Sequence, residues 1–207
     1  VPVALYLHGF ASSPRGRKIQ LLTAALGQEG WKIVAPDLNV PSFAHLDFAI
    51  MAGRAERTAL ANSPDVTIGS SLGAVVALEV ARRRGGGPLV LIAPALGFGP
   101  RWLEKVPGGD PIVFTHHGVG RDLPIHRKFF EQMAALGIDR EPPPGPVRIV
   151  VGASDESVPV DGVRRVWQNW QNSRRLAPGS DFVEIPGGDH GLVDHVGVIA
   201  DQVRALL

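Results

Sequence analysis

The pentapeptide Gly69-Ser70-Ser71-Leu72-Gly73 lies between an apolar run at 66–68 and a helical pattern that opens at Leu72. A serine at the centre of G-x-S-x-G, where a strand turns sharply into a helix, has the form of a nucleophile elbow. The turn is too tight for side chains two positions either side of the serine, which accounts for Gly69 and Gly73. Ser71 is thereby pushed out beside a helix amino end, where unpaired N–H groups and the helix dipole favour the negative charge of acyl transfer. A hydroxyl attacks poorly at neutral pH, so it needs a base, and the base must be held in one tautomer by a further group. Two residues downstream suit those tasks: Asp155 in Gly152-Ala153-Ser154-Asp155-Glu156 as the acid, and His190 in Gly187-Gly188-Asp189-His190-Gly191 as the base. Each is ordinary alone, since Asp155 could be a turn residue or helix cap and His190 a surface histidine. Both, however, follow strand patterns, in loops at strand carboxyl ends where ligands collect in open α/β sheets.

The remaining histidines fit other roles. His8, in Leu7-His8-Gly9-Phe10, ends the first strand pattern and is expected to brace the loop after it. The turn there could bring the backbone N–H of Phe10 opposite that of Leu72, which together would make an oxyanion hole; a plain tight turn is the competing reading. His116 and His117 are neighbours and, if extended, point to opposite faces, so they cannot readily chelate one metal. His45 and His126 fall on helical patterns. His195 follows His190 closely and is the rival base. No metal site is evident.

Short aliphatic runs at 3–7, 31–35, 66–69, 89–93, 147–151 and 182–185 read as strands. They alternate with helical patterns at 15–28, 45–62, 72–84, 160–171 and 192–207. Alternation of this kind predicts an α/β fold, with a doubly wound, mainly parallel sheet of about six strands covered on both faces. One connection breaks the rhythm. About fifty residues separate the runs at 89–93 and 147–151, too many for a structureless loop. We read 97–146 as a cap insertion within a single domain spanning 1–207. It is expected to carry a helix at 123–136, started by Asp122 and ended by Gly137, with Ile125, Phe129, Met133 and Leu136 along one apolar stripe. Such a stripe could equally pack on the sheet's helices; the alternative is that it walls an acyl pocket with Trp102.

The 207 residues suffice for one core, and 21 Lys and Arg against 20 Asp and Glu give a formal net charge of +1, which argues against a polyanionic partner such as nucleic acid. The arginine groups at 82–84, 164–165 and 174–175 sit near predicted helix ends, where cations offset the dipole. The chain contains no cysteine, which suits a reducing, cytoplasmic compartment and excludes disulfides and thiolate metal sites. No apolar run is long enough to span a bilayer. A strand pattern begins at once without a leader-like segment, although a start at Val1 leaves a removed leader open.

Taken together, the elbow, the acid and histidine loops and the His8-Gly9-Phe10 turn resemble the α/β-hydrolase superfamily over nearly the whole length, in the chain order Ser, acid, His. The opening Leu5-Tyr6-Leu7-His8-Gly9-Phe10-Ala11-Ser12-Ser13-Pro14 and the Gly-Ser-Ser-Leu-Gly elbow are similar to those of small bacterial esterases of the YqiA type. The resemblance implies a nucleophile at Ser71, an acid at Asp155, a base at His190, and backbone oxyanion donors at Phe10 and Leu72. It implies a small acyl ester or thioester as substrate and no organic cofactor. Two departures concern size and cap: the first two strands of larger members are missing, and the insertion matches no familiar cap. The competing class is a catalytically silent binding or scaffold protein on the same fold, although such proteins usually lose one of the three side chains.

Overall fold

Residue parity along the first strand, β1 (Val3–Leu7), sends Leu5 and Leu7 into one apolar core and Ala4 and Tyr6 into another. A strand buried on both faces needs apolar residues at successive positions, which is why these runs are nearly uninterrupted. The computed structural model describes residues 1–97 and 99–207. In it β1, β2 (Lys32–Val34), β3 (Val66–Ser70) and β4 (Leu89–Ile92) are followed by a hairpin of β5 (Ile112–His116) and β6 (Arg121–Ile125), then by β7 (Val147–Gly152) and β8 (Asp181–Ile185). The main sheet has the order β2-β1-β3-β4-β7-β8, every neighbouring pair parallel.

Helices cover both faces, as expected. The helix α1 (Arg17–Gly27) packs Ile19, Leu22 and Leu26 on one face. The other face receives α2 (Phe48–Asn62) and α3 (Leu72–Arg83). The insertion contributes α4 (Gly99–Lys105) and α5 (Lys128–Ala135), after which α6 (Val160–Asn172) joins the α2 and α3 face and α7 (Val196–Arg204) joins α1. Because β2 and β3 flank β1 on opposite sides, the winding reverses between β1 and β3. That reversal opens a crevice at their carboxyl ends, where open α/β sheets bind ligands.

The insertion differs from its sequence reading. Its helix starts at Lys128, and 121–125 form the second strand of the hairpin, Leu123 opposite Phe114 and Asp122 opposite Thr115. Asp122 accepts a hydrogen bond from the Thr115 hydroxyl at 2.7 Å instead of capping a helix. Pro124 tolerates the strand because a two-stranded ribbon leaves its missing N–H at an edge. Phe98, inside the expected insertion, lies outside the described residues. His45 and His126 lie just before α2 and α5 and not within them, with their rings stacked 4.6 Å apart. Among the described residues, no helix is long and apolar enough to cross a membrane.

Candidate active site

The strand β3 ends at Ser70 and α3 starts at Leu72, so Ser71 alone makes the turn, at φ 54° and ψ −114°. A non-glycine residue holds such a backbone only when its surroundings over-determine it. Here the Ser71 N–H donates to the Ile92 carbonyl at 2.9 Å, and the Ser71 carbonyl accepts from Ala74 and Ala95. Close approach explains Gly73, since a Cβ there would lie 2.1 Å from the Leu7 carbonyl oxygen. Gly73→Ala must therefore push β1 away from α3, and a loss on the order of 3 kcal/mol is expected in denaturant unfolding.

The acid and histidine loops are held together by their own backbones. Ala153 N–H donates to Ile185 and Ser154 N–H to Gly188, both at 2.9 Å. The loops approach so closely that a Cβ on Gly152 would sit 2.2 Å from the Gly188 carbonyl oxygen. This brings His190 Nδ1 to 2.7 Å from Asp155 Oδ2, with the Asp155 side chain 2% exposed and that of His190 30%. The other carboxylate oxygen, Oδ1, accepts from the N–H groups of Ser157 at 2.9 Å and Val158 at 2.8 Å. Three donors thus satisfy a buried charge that would otherwise be costly. The partner of Asp155 is His190; the rival His195 lies in a short 3-10 segment, Val193–His195, ahead of α7.

His8 takes the expected bracing position. Its Nδ1 hydrogen bonds the Gly9 carbonyl and its Nε2 accepts from Leu38 N–H, both at 2.9 Å, so the loop bearing Phe10 is tied to the loop after β2. Asp37 lies 3.4 Å from the same Nε2, but the Leu38 N–H already occupies that lone pair. His116, the last residue of β5, is buried, and His117, in the turn after it, is exposed. Burial lowers the His116 pKa. Among the described residues, no three His, Cys, Asp or Glu side chains group to hold a metal ion.

Ser71 and His190 stand at the junction of two cavities. One, of about 380 Å³, has apolar walls that include Trp102, Val106, Phe114, Phe130 and Val158. The Phe10 ring stands beside it, its centroid 5.3 Å from that of Phe114 and 5.8 Å from those of Trp102 and Phe130. Of the apolar stripe, Ile125, Phe129 and Met133 pack in the core, the first of its two readings. The neighbouring Phe130, one step around the helix, lines the cavity.

The second cavity, of about 390 Å³, has Tyr6, Lys18 and Ser70 in its wall. Lys18 Nζ donates to Ser70 Oγ at 2.9 Å. Burial pulls the Lys18 pKa down to about 8, against the opposing pull of the Asp155 and Asp189 charges. Burial also raises that of Tyr6, opposed by its hydrogen bond with Ser70. The sequence reading missed this group. A signal was present: Lys18 shares the i, i+4, i+8 stripe of Leu22 and Leu26, and Tyr6 and Ser70 have the strand parity of the face that α1 covers.

A model of the uncharacterised protein family UPF0227, which is YqiA-like, matches residues 3–195. The chain belongs to this family. A search of curated protein sequences returns no match. Among solved structures, this UPF0227 member is similar to a protein of Agrobacterium vitis S4 assigned as a hydrolase, with TM-score 0.81 and 18% identity over 99% of this chain and 87% of the other. It is similar to the esterase domain of a Rhodothermus marinus protein at TM-score 0.71 and 20% identity, over 99% and 85%. A Xanthomonas campestris protein assigned to the alpha/beta hydrolase superfamily aligns at TM-score 0.57 and 22% identity, over 100% and 96%. The chain has the α/β-hydrolase fold.

Proposed function

We propose that this protein is a serine hydrolase that cleaves carboxylic esters or thioesters through an acyl-enzyme. The observation that carries the reading is the 2.7 Å bond between His190 Nδ1 and the buried Asp155 carboxylate, with Ser71 lining the same two cavities as His190. Asp155 holds the Nδ1–H tautomer, which leaves Nε2 to take the Ser71 proton as Oγ attacks the acyl carbon. Negative charge then grows on the acyl oxygen, and the N–H groups of Phe10 and Leu72 receive it. Among the described residues neither N–H has an acceptor, so both remain for that oxygen. As the tetrahedral intermediate collapses, the C–O or C–S bond breaks and the imidazolium returns its proton to the leaving group. Water, deprotonated by Nε2, then attacks the acyl carbon; the acid departs and Ser71 regains its hydrogen.

A fluorophosphonate probe tests the reading against that of a silent binding protein. We expect one covalent adduct, located at Ser71 by peptide mass spectrometry and lost in Ser71→Ala. A folded wild-type protein that stays unlabelled would sink the hydrolase reading.

On this reading, residues 97–146 cap the site and set acyl selectivity without joining the bond-breaking steps. Phe130→Ala or Trp102→Ala should change the relative kcat/KM for short and long acyl chains by about tenfold or less, the scale of one apolar contact. A panel of 4-nitrophenyl esters of graded length measures this, and an unchanged profile in both variants would reduce the insertion to core packing.

A further inference from the structure

The stripe of α1 that packs on the sheet begins with a cation. Leu22 and Leu26 are fully buried, and Lys18, one turn earlier on the same stripe, lines the second cavity beside the elbow. Its hydrogen-bond partner there is Ser70 Oγ at 2.9 Å. Ser70 also lies beside the Tyr6 hydroxyl and opposes the rise that burial gives the phenol pKa. An ammonium carries three hydrogens, and Ser70 accepts one.

Among the described residues Lys18 forms no ion pair. The nearby carboxylates are committed elsewhere, Asp155 to His190, Ser157 and Val158, and Asp189 Oδ1 to the Leu192 N–H at 2.7 Å. The Asp155 and Asp189 charges offset the cost of burying this cation only in part, and among the described residues no carboxylate hydrogen bonds the ammonium, so an apolar side chain would serve packing better at this position. With a pKa of about 8, Lys18 is nevertheless mainly protonated at neutral pH. Arg17 adds a second positive charge to the same cavity wall.

What could accept the remaining ammonium hydrogens is limited by the position of the cavity. Its wall includes Ser71 and His190, which also line the aromatic-walled cavity. An anion seated against Lys18 is therefore within a short chain of the atom Ser71 attacks, while the opposite side of that atom meets aromatic walls. We propose that Lys18 is a specificity-determining residue that binds a carboxylate carried by the substrate, so that the preferred ester is charged at one end and apolar at the other. This rests on reading Ser71 as the nucleophile.

Two matched substrate pairs test it, one for each orientation of the ester. The acyl-side pair is mono-4-nitrophenyl adipate and 4-nitrophenyl hexanoate; the alcohol-side pair is 4-(butanoyloxy)benzoate and its carboxamide. In one pair we expect kcat/KM for the carboxylate to exceed that for the neutral member by about tenfold or more, the scale of a charge-assisted hydrogen bond. Lys18→Met should lower kcat/KM for that carboxylate about tenfold more than for its neutral partner, and Lys18→Arg should restore much of the difference. Absence of a preference in both pairs overturns the proposal. So does an equal loss on both members in Lys18→Met, which would make Lys18 a brace for the elbow. Calorimetry with adipate on Ser71→Ala reads anion binding without turnover, so failure of the hydrolase reading remains distinguishable. Binding there that is lost in Ser71→Ala/Lys18→Met supports the proposal, and binding indifferent to Lys18 overturns it.

Discussion

Replacing Ser71 by alanine is expected to lower kcat by about a millionfold, the scale seen when a triad serine is removed. The change deletes one oxygen and leaves the backbone bonds that pin the turn, to Ile92, Ala74 and Ala95, in place. Alanine has no easier access to φ 54° than serine does, so thermal unfolding should move little while turnover vanishes. The two measurements together separate loss of the nucleophile from loss of the elbow. More than a few per cent of wild-type activity in a clean preparation would move the nucleophile elsewhere.

Asp155→Asn should cost about ten-thousandfold in kcat by presenting the wrong histidine tautomer. The carboxylate has donors on both oxygens: Oδ1 faces two backbone N–H groups and Oδ2 faces His190. Asparagine has only one oxygen, and two fixed N–H groups hold it more strongly than one imidazole. Its NH₂ must therefore face His190 Nδ1, which becomes an acceptor and moves the ring proton to Nε2. An imidazole protonated at Nε2 cannot take the Ser71 hydrogen. The fluorophosphonate labelling rate and kcat should fall together, because both need that proton removed. If Asp155→Asn keeps wild-type rates, or if His195→Ala is as damaging as His190→Ala, the pairing seen here is structural and the base lies elsewhere.

The candidate site residues were legible because each depends on a short local rule. A strand followed at once by a helix exposes whatever residue makes the turn, and Gly73 advertises how close α3 comes to β1. Asp155 and His190 could be ordered after successive strands because parallel crossovers return every strand in the same direction. Helix and strand limits in the sheet agree with the apolar runs to within a few residues, since strands buried on both faces have little freedom in composition. The insertion was harder. Residues 121–125 satisfy a helical stripe almost as well as a strand pattern, and pairing with 112–116 across the hairpin decided between them. The choice left open for the apolar stripe also needed the fold, which packs Phe129 in the core and sets Phe130, one residue along, in the pocket wall.

What the sequence by itself determined, then, is the α/β architecture and the candidacy of Ser71, Asp155 and His190, because periodicity and turn chemistry act over a few neighbouring residues. Only the tertiary structure decided that Asp155 meets His190 and not His195, and that Ser71 lines both an aromatic-walled cavity and one with Lys18 and Arg17 in its wall. The same is true of Lys18 and Ser70, 52 residues apart in the chain, whose side chains meet across the α1 and β3 packing. Those distinctions depend on ångström-scale approach between segments remote in the chain, which a linear pattern cannot specify.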